Sequence, residues 1–157
     1  MKSLTQHITE KLVLNSNSKI RKQEFNYHPK TGDELKEIVK KLIEERGNEA
    51  DLNDIDVSEI IDMQELFSWL TFNGDISKWD VSNVIDMNRM FSNSDFTGEN
   101  GDISNWTVSN VEDMYGMFYK SKFNGDISKW DVSKVSQHNF MFTDCPIKEE
   151  FKPKFNK

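Results

Sequence analysis

The stretch Gly74–Phe91, GDISKWDVSNVIDMNRMF, returns as GDISNWTVSNVEDMYGMF at Gly101–Phe118 and as GDISKWDVSKVSQHNFMF at Gly125–Phe142. A fourth, degenerate copy, ADLNDIDVSEIIDMQELF, occupies Ala50–Phe67. Aligned, Val57, Val81, Val108 and Val132 share one column at spacings of 24, 27 and 24 residues. The three extra residues, Thr97, Gly98 and Glu99, fall just before the next Asn-Gly, where a surface loop accepts insertion.

Apolar positions in one unit run Ile76, Trp79, Val81, Val84, Met87, Met90, Phe91 and Phe96. The first four follow the apolar spacing of a leucine-rich repeat around a short strand, with Trp79 and Val81 inward and Lys78, Asp80 and Ser82 outward. The later spacing of three and four predicts one or two turns of helix or 3₁₀. Asp62, Asp86 and Asp113 stand where a side chain can cap that turn. Asn73-Gly74, Asn100-Gly101 and Asn124-Gly125 read as turns that use positive φ. One unit cannot bury its own aromatics, so stacking at about 4.8 Å per coil gives a rod about 19 Å long.

The expected fold class is therefore α/β: a short, right-handed, leucine-rich-repeat-like solenoid of about four coils of 24–27 residues, with short parallel strands and short helical or 3₁₀ turns. Residues 1–30 read as a flexible or amphipathic leader and residues 31–49 as an N-terminal capping helix. In TGDELKEIVKKLIEERG, Thr31 or Asp33 caps, Leu35, Ile38, Val39, Leu42 and Ile43 form the apolar stripe, and Gly47 ends the helix. Residues 50–144 hold the four repeats and residues 145–157 the C-terminal cap and tail.

The columns resemble the repeats of the BspA-like leucine-rich-repeat family of bacteria, whose units read roughly FN-x-D-I-S-x-W-D-V-S-x-V-x-x-M-x-x-M-F. The resemblance covers Asp51 to about Ile147 and is densest in FNGDISKWDVSNVIDMNRMF, Phe72–Phe91. It implies adhesion or protein binding rather than catalysis, on secreted or surface-attached proteins. This chain lacks a signal peptide, a lipid-attachment cysteine and a wall-sorting tail, and no binding residue carries over. The opening MKSLTQHITEKLVLNSNSK resembles leaders of crAss-like phage proteins, which implies a phage-encoded protein acting in the infected cell or carried in the particle.

The net charge of -7 is uneven. Residues 1–50 carry ten Lys/Arg against eight Asp/Glu, residues 51–144 six against seventeen, and residues 145–157 four against two. An acidic middle repels a phosphate backbone, so nucleic acid is not an expected partner. No apolar run approaches the roughly 18 residues of a membrane helix, and the mean hydropathy is -0.71. The expectation is a soluble protein, cytoplasmic or phage-associated, with no membrane partner. The single Cys145 excludes an internal disulfide framework.

The candidate binding surface is the outward column set of the expected sheet: Asp54, Lys78, Asn105 and Lys129; Asp56, Asp80, Thr107 and Asp131; Ser58, Ser82, Ser109 and Ser133. Its charge pattern suits a protein partner that is at least partly basic. Trp69 aligns with Asn93 and Lys120, so it packs beneath the helix, the favoured reading, or anchors a partner. His138 and Cys145 lack a third catalytic member, and three scattered His with one Cys form no zinc pattern. No cofactor, metal site or catalytic residue is expected. The function so read is a non-enzymatic protein-interaction module. The alternatives are a phage-encoded acidic inhibitor mimicking nucleic acid and a virion-associated component. Imperfect caps would also permit end-to-end self-association.

Overall fold

The computed structural model describes residues 23–156. Repetition shapes it directly, because each unit is a coil laid on its neighbour and equivalent side chains stack. Phe67, Phe91, Phe118 and Phe142 form one column with ring centroids 5.3, 5.4 and 6.0 Å apart and nearly parallel planes. Phe72, Phe96 and Phe123 form a second at 6.2 and 6.0 Å. Trp79, Trp106 and Trp130 form a third at 6.5 and 6.4 Å. Each indole N–H donates to a carbonyl of the unit before it: Trp79 to Leu52 at 2.9 Å, Trp106 to Ile76 at 3.3 Å and Trp130 to Ile103 at 3.1 Å. The tryptophan thus fills the core and ties adjacent coils, since a buried indole needs an acceptor.

The expected α/β class with short parallel strands is overturned. Among the described residues there is no strand, only isolated parallel bridges: Tyr27 with Ile55, Asp51 with Asp75, and Asp62, Asp86, Asp113 and Gln137 in series. The reason lies in the aspartates and serines. Asp75 takes the Ser77 N–H at 2.9 Å, Asp80 the Ser82 N–H at 3.1 Å and Asp86 the Asn88 N–H at 2.7 Å. Such turns draw backbone amides away from a lateral ladder. Between them Trp79 and Val84 donate to carbonyls three residues back. The segment read as a strand is a run of turns.

The Met-x-x-Met-Phe half is not a helix either. Met90, Ser92 and Ser94 do donate to Met87, Arg89 and Phe91, three residues back. Yet Glu65, Arg89, Gly116 and Phe140 all take positive φ, as do Trp69, Asn93, Lys120 and Asp144 four residues further on. A left-handed residue at every fourth position prevents the turn from propagating as a helix. The remaining amides point to the next coil. Met63, Glu65, Phe67 and Trp69 donate to the carbonyls of Asp86, Asn88, Met90 and Ser92 at 2.8–3.0 Å. Met87, Arg89, Phe91 and Asn93, and then Met114, Gly116, Phe118 and Lys120, repeat the pattern onto the coil that follows each.

The Asn-Gly glycines serve a different purpose from the one expected. Positive φ belongs to Gly47, Gly98 and Gly116, not to Gly74, Gly101 or Gly125. A Cβ at Gly74 would collide with the Ala50 carbonyl, and one at Gly101 would sit 2.8 Å from the Gly74 carbonyl. These two positions are glycine because the preceding coil's backbone passes too close for a side chain.

Helix α1 spans Gly32–Arg46, with the Thr31 side chain accepting the Glu34 N–H and Gly47 following at φ 90°. Leu35, Val39 and Leu42 are fully buried in the same core as the first coil, and Ile38 and Ile43 pack against its margin. Residues 23–30, assigned from sequence to the leader, are tied to that coil. Asn26 and Tyr27 donate to the Asp54 carbonyl, and the Asp56 N–H donates back to Tyr27. Residues 1–22, which carry most of the expected leader and the phage-type resemblance, lie outside the described residues. At the other end Glu149–Phe151 form a 3₁₀ turn, and the Ile127 N–H donates to Phe151.

The two kinds of glycine can be separated by mutation. Gly74→Ala is expected to cost roughly 2–4 kcal/mol, because backbone must move to admit the methyl group. Gly116→Ala is expected to cost less, about 1–2 kcal/mol for left-handed backbone, because Glu65, Arg89 and Phe140 hold side chains at the same φ and no backbone stands in the way. Urea melts of both variants check this, and similar losses in the two would contradict it.

Candidate functional site

The expected polar face disperses into turns. Asp80 and Asp131 each bond the amide of the serine two residues on, Ser82 and Ser133, at 3.1 Å. Those serine bonds hold the Asp131 carboxyl below its ordinary range. Asp56 is engaged by the Ser58 hydroxyl at 2.6 Å and lies 3.5 Å from His28 Nδ1. Asp54 is held by both guanidinium nitrogens of Arg46, at 2.8 and 2.9 Å, and by Asn26 at 2.9 Å. The Arg46 bonds hold its carboxyl down to about 2. It clamps α1 and residues 23–30 to the first coil. Lys78, Asn105, Thr107 and Lys129 remain exposed. The structure therefore places most of these carboxylates in the framework.

A better-formed site lies on the Met-x-x-Met-Phe side, where the left-handed residues project outward. A groove of about 450 Å³ is lined by Trp69, Arg89, Asn93, Tyr115, Tyr119 and Phe140, with Gly116 among them. Trp69 is 77% exposed and Phe140 58%, whereas the other three tryptophans are buried. Packing of Trp69 beneath the helix, the favoured expectation, is thus corrected. It shares a smaller hollow with Lys36 and Lys40 of α1 but stands in solvent. Its left-handed backbone turns the side chain away from the core, as at Asn93 and Lys120.

Arg89 reaches across the groove, with its guanidinium 5.4 Å from the centre of the Tyr115 ring and 4.0 Å from the Glu65 carboxylate. Tyr115 meets Phe140 edge to face at 5.7 Å, and the Lys120 ammonium lies 5.2 Å from the Tyr119 ring. Gly116 interrupts the column Glu65, Arg89, Phe140. A Cβ there would come within 3.4 Å of Arg89 Cγ, so the missing side chain keeps the floor open. Exposed aromatics beside a cation and amide groups can stack on planar groups and hold an acceptor. Alignment of Trp69 with Asn93 and Lys120 did flag one of these residues. Tyr115, Tyr119 and Phe140 were missed, and their signal was apolar residues in columns otherwise held by Gln64, Asn88, Ser68 and Arg89.

The remaining sequence candidates do not converge. His138 stacks on Phe155 at 4.0 Å. The Cys145 thiol donates to the Phe123 carbonyl at 3.2 Å, and burial pushes it up from its ordinary value. A thiol so placed is a poor nucleophile. Asp56 and Asp80 each serve their own turn, and no group of three or more His, Cys, Asp or Glu among the described residues is arranged around a metal position. Nor is any helix there long and apolar enough to cross a membrane.

Residues 34–155 match the family described as "Mycoplasma protein of unknown function, DUF285", which takes in most of α1, every coil and most of the tail. The chain belongs to that family. No curated protein and no solved structure matches it. Within the residues matched to DUF285, the aspartate column Asp62, Asp86, Asp113 recurs in three successive coils, each bonded to the amide two residues on.

Two outcomes test this geometry. Replacing Trp69 by Phe is expected to remove the fluorescence component that acrylamide quenches and to shift the remaining emission blue; unchanged quenching would place Trp69 in the core. The second concerns Asp86. Burial, then the charges of Asp113 and Asp62, pushes its carboxyl above the ordinary 3.8. A carboxyl raised in the folded chain favours folding while protonated, a contribution complete below the unfolded value and lost as pH rises through the folded one. Asp86→Asn retains an acceptor for the Asn88 amide and removes the charge. Its melting midpoint is expected above wild type at about pH 7 and level with it near about pH 3. A lower midpoint at neutral pH would contradict this.

Proposed function

We propose that this chain is a non-enzymatic protein-interaction module that engages its partner through the groove between Trp69 and Phe140. The observation that carries the reading is the exposure of those two aromatics on a framework that buries its other tryptophans. An exposed indole costs solvation and contributes nothing to the core, while aromatic and arginine side chains in a concavity are the usual anchors of an interface. Arg89, Asn93 and Ser68 supply polar contacts along the same wall. Kinship with BspA-like repeat proteins, supported by the Phe72–Phe91 text, agrees with binding rather than catalysis. Within this reading the polar columns around Lys78, Asp80 and Asp131 maintain solubility and turn geometry.

The partner is a protein segment rather than a nucleic acid, because the repeats remain strongly acidic. The test is capture by the immobilised full chain from lysate of its source cells. We expect the double variant Trp69→Ala, Phe140→Ala to lose specific capture at least about tenfold. Asp80→Lys with Asp131→Lys is expected to leave most of it in place. The reverse ranking, with capture that collapses as salt is added, would favour the acidic-inhibitor alternative and overturn this one.

A further inference from the structure

A different feature stands at the C-terminal end of the stack. In three successive coils four alternate amides donate to carbonyls of the following coil, and each of those twelve amides is satisfied. The same column positions in the last coil are His138, Phe140, Phe142 and Asp144. Among the described residues none of these four amides has an acceptor. Their carbonyl-side neighbours already serve the coil before: Gln137, Asn139, Met141 and Thr143 accept from Met114, Gly116, Phe118 and Lys120.

Within the rows the four bonds across each junction run one way, whereas just before each row the amides of Asp86, Asp113 and Gln137 donate back to the carbonyls of Ile61, Ile85 and Glu112. From its first methionine position onward, every row presents N–H toward the C-terminal end and C=O toward the N-terminal end, unlike a β edge, where both groups alternate. From His138 to Asp144 the last row is consequently a line of donors, with the Ser136 carbonyl the equivalent of the acceptors Ile61, Ile85 and Glu112 just before it. Backbone amides aligned in such left-handed turns form a positive concavity.

The C-terminal tail covers the side chains of this row without supplying carbonyls to its amides. Phe155 stacks on His138, and the Lys152 ammonium lies 5.6 Å from the Phe142 ring. Between row and tail runs a slot of about 400 Å³, bounded by His138, Phe140 and Phe142 on one side and Glu149, Lys152 and Phe155 on the other.

We infer that this slot is a second docking site, which accepts a polypeptide segment of a partner whose main-chain carbonyls pair with the amides of His138, Phe140, Phe142 and Asp144. The three internal junctions specify the occupant, because carbonyls on alternate residues are what satisfies this edge in each of them. A repeat row from another chain of the Asp-Met-x-x-Met-Phe type has that conformation. A second copy of this chain does not offer it. Its own acceptor row begins at Asp62, where α1 stands so close that a Cβ on Gly32 would lie 2.5 Å from the carbonyl. Docking therefore adds one row to the stack by the edge-addition mode of peptide recognition.

The test uses the ¹⁵N-labelled full chain and a synthetic peptide of residues 110–121, blocked at both ends so that no terminal charge mimics a ligand. In the free chain the four amides are expected to exchange with solvent at least about a hundredfold faster than those of Met114, Gly116, Phe118 and Lys120. Millimolar peptide is expected to slow them at least about tenfold and to move their proton resonances downfield. Protection already present in the dilute free chain would show the edge to be covered and would overturn the inference. So would protection that rises with protein concentration alone, which is self-association, or an equal effect of phosphate or acetate, which is an anion site. Perturbation confined to Trp69 and Tyr119 would assign the peptide to the groove and leave this slot empty. Because Trp69→Ala removes groove binding and leaves these four amides in place, the two sites fail independently.

Discussion

Half of each coil is held to the next by four hydrogen bonds that all point the same way, from Met63, Glu65, Phe67 and Trp69 in the first row and from the matching residues in the rows after it. Most other features follow from satisfying that arrangement. Alternate amides can face the next coil only if the residues between them turn back on themselves, which they do by bonding three residues back and by taking positive φ at every fourth position. Once the backbone is fixed in this way, equivalent side chains fall above one another, and the stacked phenylalanine columns result. Buried backbone groups must be paired, so the ladder sets the register and the aromatic columns then fill the space it leaves.

The same constraint separates framework from function. Positions that turn back or face inward are committed: the aspartates to amides two residues on, the methionines and phenylalanines to the core, the tryptophans of the central column to the carbonyls of the coil before. The left-handed residues project outward and are not used by the ladder's side-chain packing, so they vary from coil to coil: Glu65, Arg89, Gly116 and Phe140 in one column, Trp69, Asn93, Lys120 and Asp144 in the other. That variation builds the groove. Four identical residues in either column would leave a ridge, and it is the alternation of Arg89, an absent side chain at Gly116 and the ring of Phe140 that makes a concavity.

Much of the architecture was legible in the columns. Ile76, Trp79, Val81, Val84, Met87, Met90, Phe91 and Phe96 show as core in the sequence and are buried, and α1 is delimited there by Thr31 or Asp33, of which Thr31 is the cap, and by Gly47. The class of secondary structure was not legible, for a physical reason. Apolar alternation at Trp79 and Val81 requires only that successive side chains lie on opposite sides of the backbone, and a run of aspartate-closed turns satisfies this as well as a strand does. The distinguishing signal was Asp-x-Ser and Asp-Val-Ser, turn formers standing in the middle of the supposed strand. The site was obscured for a related reason, since positive φ at non-glycine residues leaves no mark in a single unit. Only when Glu65, Arg89 and Phe140 are set beside Gly116 does the column show itself, and glycine there reads as a turn until its neighbours are seen to manage without it.

The central claim is that the turn rows are joined by one-way bonds from alternate amides, with strand-type pairing confined to the isolated bridges at Asp62, Asp86, Asp113 and Gln137 where each row begins. Scalar couplings measured across hydrogen bonds in a uniformly labelled sample test it most directly. The account predicts correlations from the amides of Met87, Arg89, Phe91 and Asn93 to the carbonyls of Asp113, Tyr115, Met117 and Tyr119, and opposite-sense bonds only outside the row, as from Glu112 and Asp113 to Ile85 and from Lys122 to Ser94. Reciprocal couplings within the row, in which Tyr115, Met117 or Tyr119 also donate to carbonyls of Met87 to Asn93 in strand fashion, would contradict it.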